Sequence, residues 1–246
     1  SVKDFATIKR GDSMGSMIQL HDFNLYYKKE GNGDPIILLH GNQESLKIFD
    51  KTMKRLSKRF TVYALDSRGH GKSDGFTQDF SYDQMAEDLK EFMDLKKIKQ
   101  AAIYGFSDGG IVAILFALRY PSYVKALLFS GVNIFPKGLK WRYRLSYQIK
   151  RNQAQDFKQK KLYDLMLTQP HLTFNDLKKI HVPTLMTVAK HDVIKKSHTK
   201  AIHQSIAQSQ LILVKNANHE NYICNSEMIG RLILQFLSNL SNKNNH

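Results

Sequence analysis

The sequence predicts an α/β protein: a mostly parallel, eight-stranded sheet flanked by helices, with a small helical insertion after the sixth strand. Three observations point there. Short apolar runs alternate with longer amphipathic ones along most of the chain, the signature of repeated strand–helix units. One run, Pro35-Ile-Ile-Leu-Leu39, is continuously apolar, as expected of a strand buried on both faces. The alternation breaks once, over Asn133–Leu172, which holds no buried-strand pattern and is rich in Lys, Arg, Gln and Tyr.

Taken in order, residues 1–16 show no clear amphipathic pattern and are read as a leader outside the fold. Strands are expected at Met17–Leu20, Phe23–Lys29 and Pro35–Leu39. A helix follows at about Ser45–Arg59, then strand Phe60–Leu65 ending at Asp66. Ser81 and Gln84 form a capping-box signature for a helix running to about Leu95. Strand Ala101–Phe106 leads into helix Gly109–Arg119, stopped before Pro121, and Ala126–Ser130 is the sixth strand. Beyond the break come strand Thr184–Ala189, helix Lys195–Ala207, strand Gln210–Val214 and helix Glu227–Leu240. The core is thus 17–132 with 173–240. An insertion at 133–172 sits above the strand ends, where sites lie in open α/β sheets.

Composition narrows the function classes. A 246-residue chain with 42% hydrophobic and 24% charged residues is neither disordered nor fibrous. Its single cysteine, Cys224, excludes an intrachain disulfide and a multi-cysteine zinc site, and fits a reducing, cytoplasmic setting. The most apolar window, Ala101–Leu118, carries Ser107, Asp108 and three glycines in its middle. It reads as strand, turn and helix, not as a membrane span. The net charge of +15 raises nucleic acid as a partner, but nothing resembles a nucleic-acid-binding module, so none is expected. The charge is uneven: residues 133–172 hold nine Lys/Arg against two Asp/Glu. That either draws anionic substrates towards the strand ends or is the solvated face of helices.

Gly105-Phe-Ser107-Asp108-Gly109 matches G-x-S-x-G at the junction of a predicted strand and a predicted helix, the context of a nucleophile elbow. The turn is so sharp that side chains two before and two after the serine would collide, and glycine removes both. The Asp108 amide then lies at a helix N-terminus, where free N–H groups and the helix dipole favour an anion.

A serine nucleophile needs a base, and the base an orienting acid. Of ten histidines, His40 and His70 fall in glycine turns, and His21, His198 and His203 on strand or helix bodies. His171 and His181 lie in or beside the insertion, His246 in the tail, and His191 directly before an acid. His219 follows strand Gln210–Val214 in a short loop, after Ser107 and Asp192 in the order this elbow type uses. For the acid, Asp192 follows strand Thr184–Ala189. The other candidate loop, Ser130–Ile134, contains no carboxylate, and Asp66 precedes the serine and suits a cap or turn.

With Leu38-Leu-His-Gly-Asn42, Asp66-Ser-Arg-Gly-His-Gly-Lys-Ser73, Gly105-Phe-Ser-Asp-Gly-Gly110, Asp192 and His219 in this order, the chain resembles the α/β-hydrolase fold superfamily from Met17 onwards. The resemblance implies that the backbone amide of Asn42 joins that of Asp108 in an oxyanion hole, and that 133–172 is a cap. His-Gly-Asn is also similar to haloalkane dehalogenases, which however use an aspartate nucleophile. The family often has glycine ahead of its acid and its histidine. Here Ala189 stands three before Asp192, and Asn216 and Asn218 tolerate the positive φ such a turn needs.

The expected activity is hydrolysis of a small-molecule carboxyl ester or related acyl bond through an acyl-enzyme on Ser107, with no metal and no organic cofactor. Thioesters, amino-terminal proline peptides and vinylogous carbon–carbon bonds are alternative substrates for the same parts. A ligand-binding sensor that keeps the triad is an alternative of another class.

Overall fold

The computed structural model describes residues 15–243. Its sheet has eight strands: β1 (Ser16–Gln19), β2 (Asn24–Glu30), β3 (Asp34–Leu39), β4 (Phe60–Leu65), β5 (Ala101–Phe106), β6 (Val124–Ser130), β7 (Thr184–His191) and β8 (Ser209–Asn218). Their spatial order is β1-β2-β4-β3-β5-β6-β7-β8. β1–β2 and β2–β4 pair antiparallel and all other neighbours parallel. The expectation of a leader falls mostly on residues outside those described, and Ser16 already belongs to β1.

The helices are α1 (Asp50–Leu56), α2 (Tyr82–Leu95), α3 (Asp108–Arg119), α4 (Trp141–Gln153), α5 (Phe157–Thr168), α6 (Phe174–Leu177), α7 (Lys196–Ser205) and α8 (Met228–Lys243). The alternation of side chains along β3 shows how the layers form. Ile37 and Leu39 pack with residues of α2, α3 and α7 on one face, while Ile36 and Leu38 pack with α1 and α8 on the other. All four are buried, each contributing about 1.5–3 kcal/mol through the water its side chain leaves. Among the described residues, no helix is long and apolar enough to cross a membrane.

Three expectations are corrected. The helix read at Ser45–Arg59 is shorter: a 3₁₀ turn, Leu46–Phe49, precedes α1. The Leu46 amide there donates to Asp66 Oδ1 at 2.7 Å. The capping box before α2 is half formed. Ser81 accepts from the Gln84 amide, but the Gln84 carboxamide oxygen finds no partner among the described residues. Strand β8 runs four residues past Val214, to Asn218. Its pairing with β7 shifts register between Ala189 and His191 and resumes at His191 with Asn218.

After β6 the chain leaves the sheet, forms α4 and α5 as an antiparallel pair, and returns through α6 to β7. The entrance to this segment is pinned by His198 of α7. That residue is buried, its Nε2 accepts the Ile134 amide at 3.1 Å, and burial lowers its pKa to about 4.

Candidate active site

Ser107 sits between β5 and α3 with φ 50° and ψ −115°, on the side of backbone space that non-glycine residues avoid. Such strain costs about 1–3 kcal/mol and persists only where the surroundings enforce it. The enforcement is visible in the two glycines. A Cβ at Gly105 would lie 2.1 Å from the Gly109 carbonyl oxygen, and one at Gly109 would lie 2.3 Å from the Leu39 oxygen. Ser107 occupies the N-cap position of α3, yet its hydroxyl does not cap the helix. The hydroxyl instead meets His219 Nε2 at 3.2 Å.

His219 Nδ1 in turn meets Asp192 Oδ1 at 2.8 Å. The structure therefore joins the three residues in one hydrogen-bonded line, although Ser107 and His219 are 112 residues apart in sequence. Asp192 is buried, and its Oδ1 also accepts the Ile194 amide (3.1 Å) while Oδ2 accepts that of Ala189 (3.3 Å). Burial pushes this carboxyl upward. The hydrogen bond and charge of His219 and the two amides outweigh that and hold it below its ordinary range. Lys140 donates to the Asp192 carbonyl, tying the start of α4 to the acid's backbone.

The turn carrying His219 is not built by asparagines at positive φ. Asn216 and Asn218 lie within β8, and neither has positive φ. Asn218 works through its side chain: Oδ1 accepts the amides of Glu220 (3.0 Å) and Asn221 (2.9 Å), and Asn221 Oδ1 accepts the Asn218 amide at 3.0 Å. The His219 ring rests against Phe106, with centroids 5.0 Å apart. Gly131 (φ +59°) leaves the room: a Cβ there would lie 2.7 Å from the His219 ring.

Of the two amides expected to face a developing oxyanion, those of Asn42 and Asp108, neither donates to an acceptor among the described residues. The neighbouring amides of Gly110 and Ile111 are taken by the Ser107 carbonyl, and that of Gly41 by Glu44 Oε2 at 2.8 Å. The side chains add contacts that the sequence did not announce. Asn42 Nδ2 donates to Asp108 Oδ2 (2.8 Å) and to the Leu162 carbonyl of α5 (3.1 Å). Burial raises the Asp108 carboxyl to about 6, opposed by Asn42, the Tyr82 hydroxyl and His219. Glu44 also touches Cys224 Sγ at 3.4 Å, so it links the turn before the site to the loop after His219. Burial raises it to about 7.

The other histidines fall elsewhere. His40 Nδ1 lies 2.7 Å from the Gly41 carbonyl, and its Nε2 accepts the Ser67 amide at 3.0 Å. The proton is therefore on Nδ1, and burial lowers the pKa to about 4. His70 is buried beside it with a pKa also near 4. Both hold loops and neither reaches Ser107 by a hydrogen bond. Asp66 accepts the Leu46 and Lys72 amides, as a cap and a turn residue. Arg68 is buried and grips two carboxylates, Asp88 and Asp22, through Nε and both Nη atoms. Beneath the site runs a buried hydroxyl chain: Tyr104 to Ser130 (2.8 Å), Ser130 to Thr187 (2.6 Å), Thr187 to Tyr222 (3.2 Å). It ties β5, β6 and β7 to the turn after His219.

A profile of the alpha/beta hydrolase fold matches residues 34–166, more than half of the chain, and the protein belongs to that family. The family and the relatives support hydrolysis as its chemistry. Mouse (Mus musculus) serine hydrolase BPHL is 28% identical over 247 residues, covering 89% of this chain and 85% of its own. AB hydrolase superfamily protein YisY of Bacillus subtilis is 29% identical over 265 residues, covering 91% and 99%. Among solved structures, the enol-lactonase from Burkholderia xenovorans superposes with a TM-score of 0.76 at 18% identity. It covers 91% of this chain and 100% of its own, a likeness of fold.

Proposed function

We propose that the protein is a serine hydrolase that cleaves a carboxyl ester, or a related acyl bond, of a small molecule through an acyl-enzyme. The observation that carries this reading is the unbroken line Ser107 Oγ – His219 Nε2 – His219 Nδ1 – Asp192 Oδ1, at 3.2 and 2.8 Å. Asp192 fixes Nδ1 as the donor, which leaves Nε2 as the acceptor facing the hydroxyl. His219 takes the Ser107 proton as Oγ bonds to the acyl carbon, and Asp192 stabilises the imidazolium. The unpartnered amides of Asn42 and Asp108 receive the oxyanion, each donor worth about 3–4 kcal/mol in the transition state. His219 then gives its proton to the leaving oxygen and the acyl group stays on Ser107. In the second half, His219 takes a proton from water, hydroxide adds to the acyl carbon, and Ser107 leaves with the proton that His219 returns.

Residues 133–172 serve as a cap in this reading. Support comes from the Asn42 bond to Leu162 and from Tyr147, whose pKa is raised to about 12 by burial and by the nearby charges of Asp108 and Glu220. A reducing cytoplasm suits the one cysteine, Cys224. The test is hydrolysis of short p-nitrophenyl esters together with fluorophosphonate labelling. Wild type turns over and is labelled, and Ser107→Ala does neither. Equal turnover by both proteins overturns the assignment.

A further inference from the structure

A helix lying on a protein surface ordinarily turns a polar face to water. Helix α4, Trp-Arg-Tyr-Arg-Leu-Ser-Tyr-Gln-Ile-Lys-Arg-Asn-Gln, turns large apolar side chains to water as well as polar ones. Its inner side is apolar: Tyr143 and Tyr147 pack on Leu139, Val193 and Ile194. Its outer side is mixed, with Arg142, Gln148, Lys150 and Asn152 exposed beside large apolar side chains. Trp141, Leu145 and Ile149 follow one another at intervals of four residues, so they form a single stripe. They are 71%, 52% and 46% exposed, and Phe157, across the short turn at the start of α5, is 52% exposed. Four large apolar side chains thus stand in water on one helical hairpin.

The surroundings of this stripe are positively charged. α4 contains Arg142, Arg144, Lys150 and Arg151 and no acidic residue. Of the nine Lys/Arg in 133–172, only Arg151 reaches a carboxylate among the described residues, that of Asp164 at 2.8 Å. Asp156, the other acid of the segment, is spent capping α5 through the Gln159 amide. Two copies meeting through this face would bring like charges together, which disfavours self-association. An apolar stripe edged by unpaired cations instead complements a surface with an apolar interior and anionic headgroups.

We propose that the outer face of α4 is a peripheral docking surface for an anionic phospholipid bilayer, with Trp141, Leu145 and Ile149 entering the interface and the flanking Arg and Lys side chains meeting the headgroups. The inference does not depend on the chemistry of Ser107. The protein carries its own probe, since Trp141 is its only tryptophan.

The experiment adds vesicles of phosphatidylcholine with 30% phosphatidylglycerol, or of phosphatidylcholine alone, to the full chain at low ionic strength. Tryptophan emission and co-sedimentation are both recorded. Anionic vesicles are expected to shift the emission to the blue and to bind at least tenfold more protein than neutral ones. One molar salt, which shrinks the Debye length to about 3 Å, should release it. The variant Leu145→Ser/Ile149→Ser keeps Trp141 and alters only exposed positions. It should partition at least tenfold more weakly, with its circular dichroism unchanged. Binding without a blue shift and equal in the variant would mean adsorption by charge alone and overturns the proposal. So does an absence of binding at low salt. A lipid-free dimer that the double substitution dissolves would overturn it in favour of a second copy.

Discussion

Replacing Asp192 by asparagine changes one oxygen to an amino group and removes the charge, with no change in size. The carboxylate accepts three N–H groups: His219 Nδ1 and the Ile194 amide on Oδ1, and the Ala189 amide on Oδ2. An amide cannot do this. If its oxygen faces His219, its NH₂ points at the Ala189 N–H, donor against donor. If it flips, the NH₂ donates to His219 Nδ1, the ring proton moves to Nε2, and Ser107 faces a donor where it needs a base. The second arrangement removes general-base catalysis, and the tautomer error in a triad of this type costs about 10⁴-fold in kcat. That corresponds to about 5.5 kcal/mol of transition-state stabilisation. The misplaced donor should cost about 1–3 kcal/mol of stability, or several degrees in Tm for a chain of this size. The assay is kcat/KM on p-nitrophenyl acetate beside a thermal melt. Ser107→Ala/Asp192→Asn should be no slower than Ser107→Ala alone, because the residues act as a unit. A folded Asp192→Asn protein that loses less than tenfold would refute the reasoning.

Glu44 binds its proton more tightly in the folded protein, at about 7, than at its ordinary value of 4.5. The folded state therefore holds the extra proton between these values. The stability Glu44 contributes is whole below about pH 4.5 and gone above about pH 7, up to about 3 kcal/mol. Glu44→Gln should match wild type at pH 4.5 and exceed it at pH 8 in chemical denaturation; a gap independent of pH would contradict this. Arg68→Met leaves the buried Asp88 carboxylate alone and should cost about 3–5 kcal/mol, most of it recovered in Arg68→Met/Asp88→Leu. Guanidinium titrations that show the double variant no better than the single would refute it. In Gly105→Ala the new methyl meets backbone atoms of Gly109 and Gly110 at 2.1–2.4 Å, atoms that cannot turn aside as a side chain could. The elbow should fail to form, read as loss of fluorophosphonate labelling and a fall in Tm of more than 5 °C.

What the sequence revealed of this molecule follows from the range of the interactions involved. β3 and β5 are legible because burial on both faces leaves continuous apolar runs. The elbow is legible because the crowding that demands Gly105 lies within five residues, whereas Gly109 is demanded by the Leu39 and His40 backbone of the neighbouring strand end, some 70 residues away. The end of β8 is not. Lys215, Asn216 and Asn218 look like loop residues, and what keeps them in the strand is backbone pairing across a register shift to β7. Asn218 illustrates a right position with a different mechanism, its carboxamide holding the turn where positive φ was expected. Arg68, Glu44 and the chain from Tyr104 to Tyr222 were hidden for a common reason. Each depends on a partner 20 to 180 residues away, and no local pattern encodes such a partner.

For the proposed mechanism, the strand order also sets when Ser107 can become reactive. Ser107 belongs to the middle of the sheet, Asp192 follows the seventh strand and His219 the eighth, which among the described residues pairs with β7 alone. A chain emerging from the ribosome can complete six strands and shape the elbow while its serine still has neither acid nor base. The nucleophile is then an ordinary alcohol. In the proposed mechanism it acquires its reactivity only when the edge strand pairs with β7, so competence arrives with the last strand of the sheet.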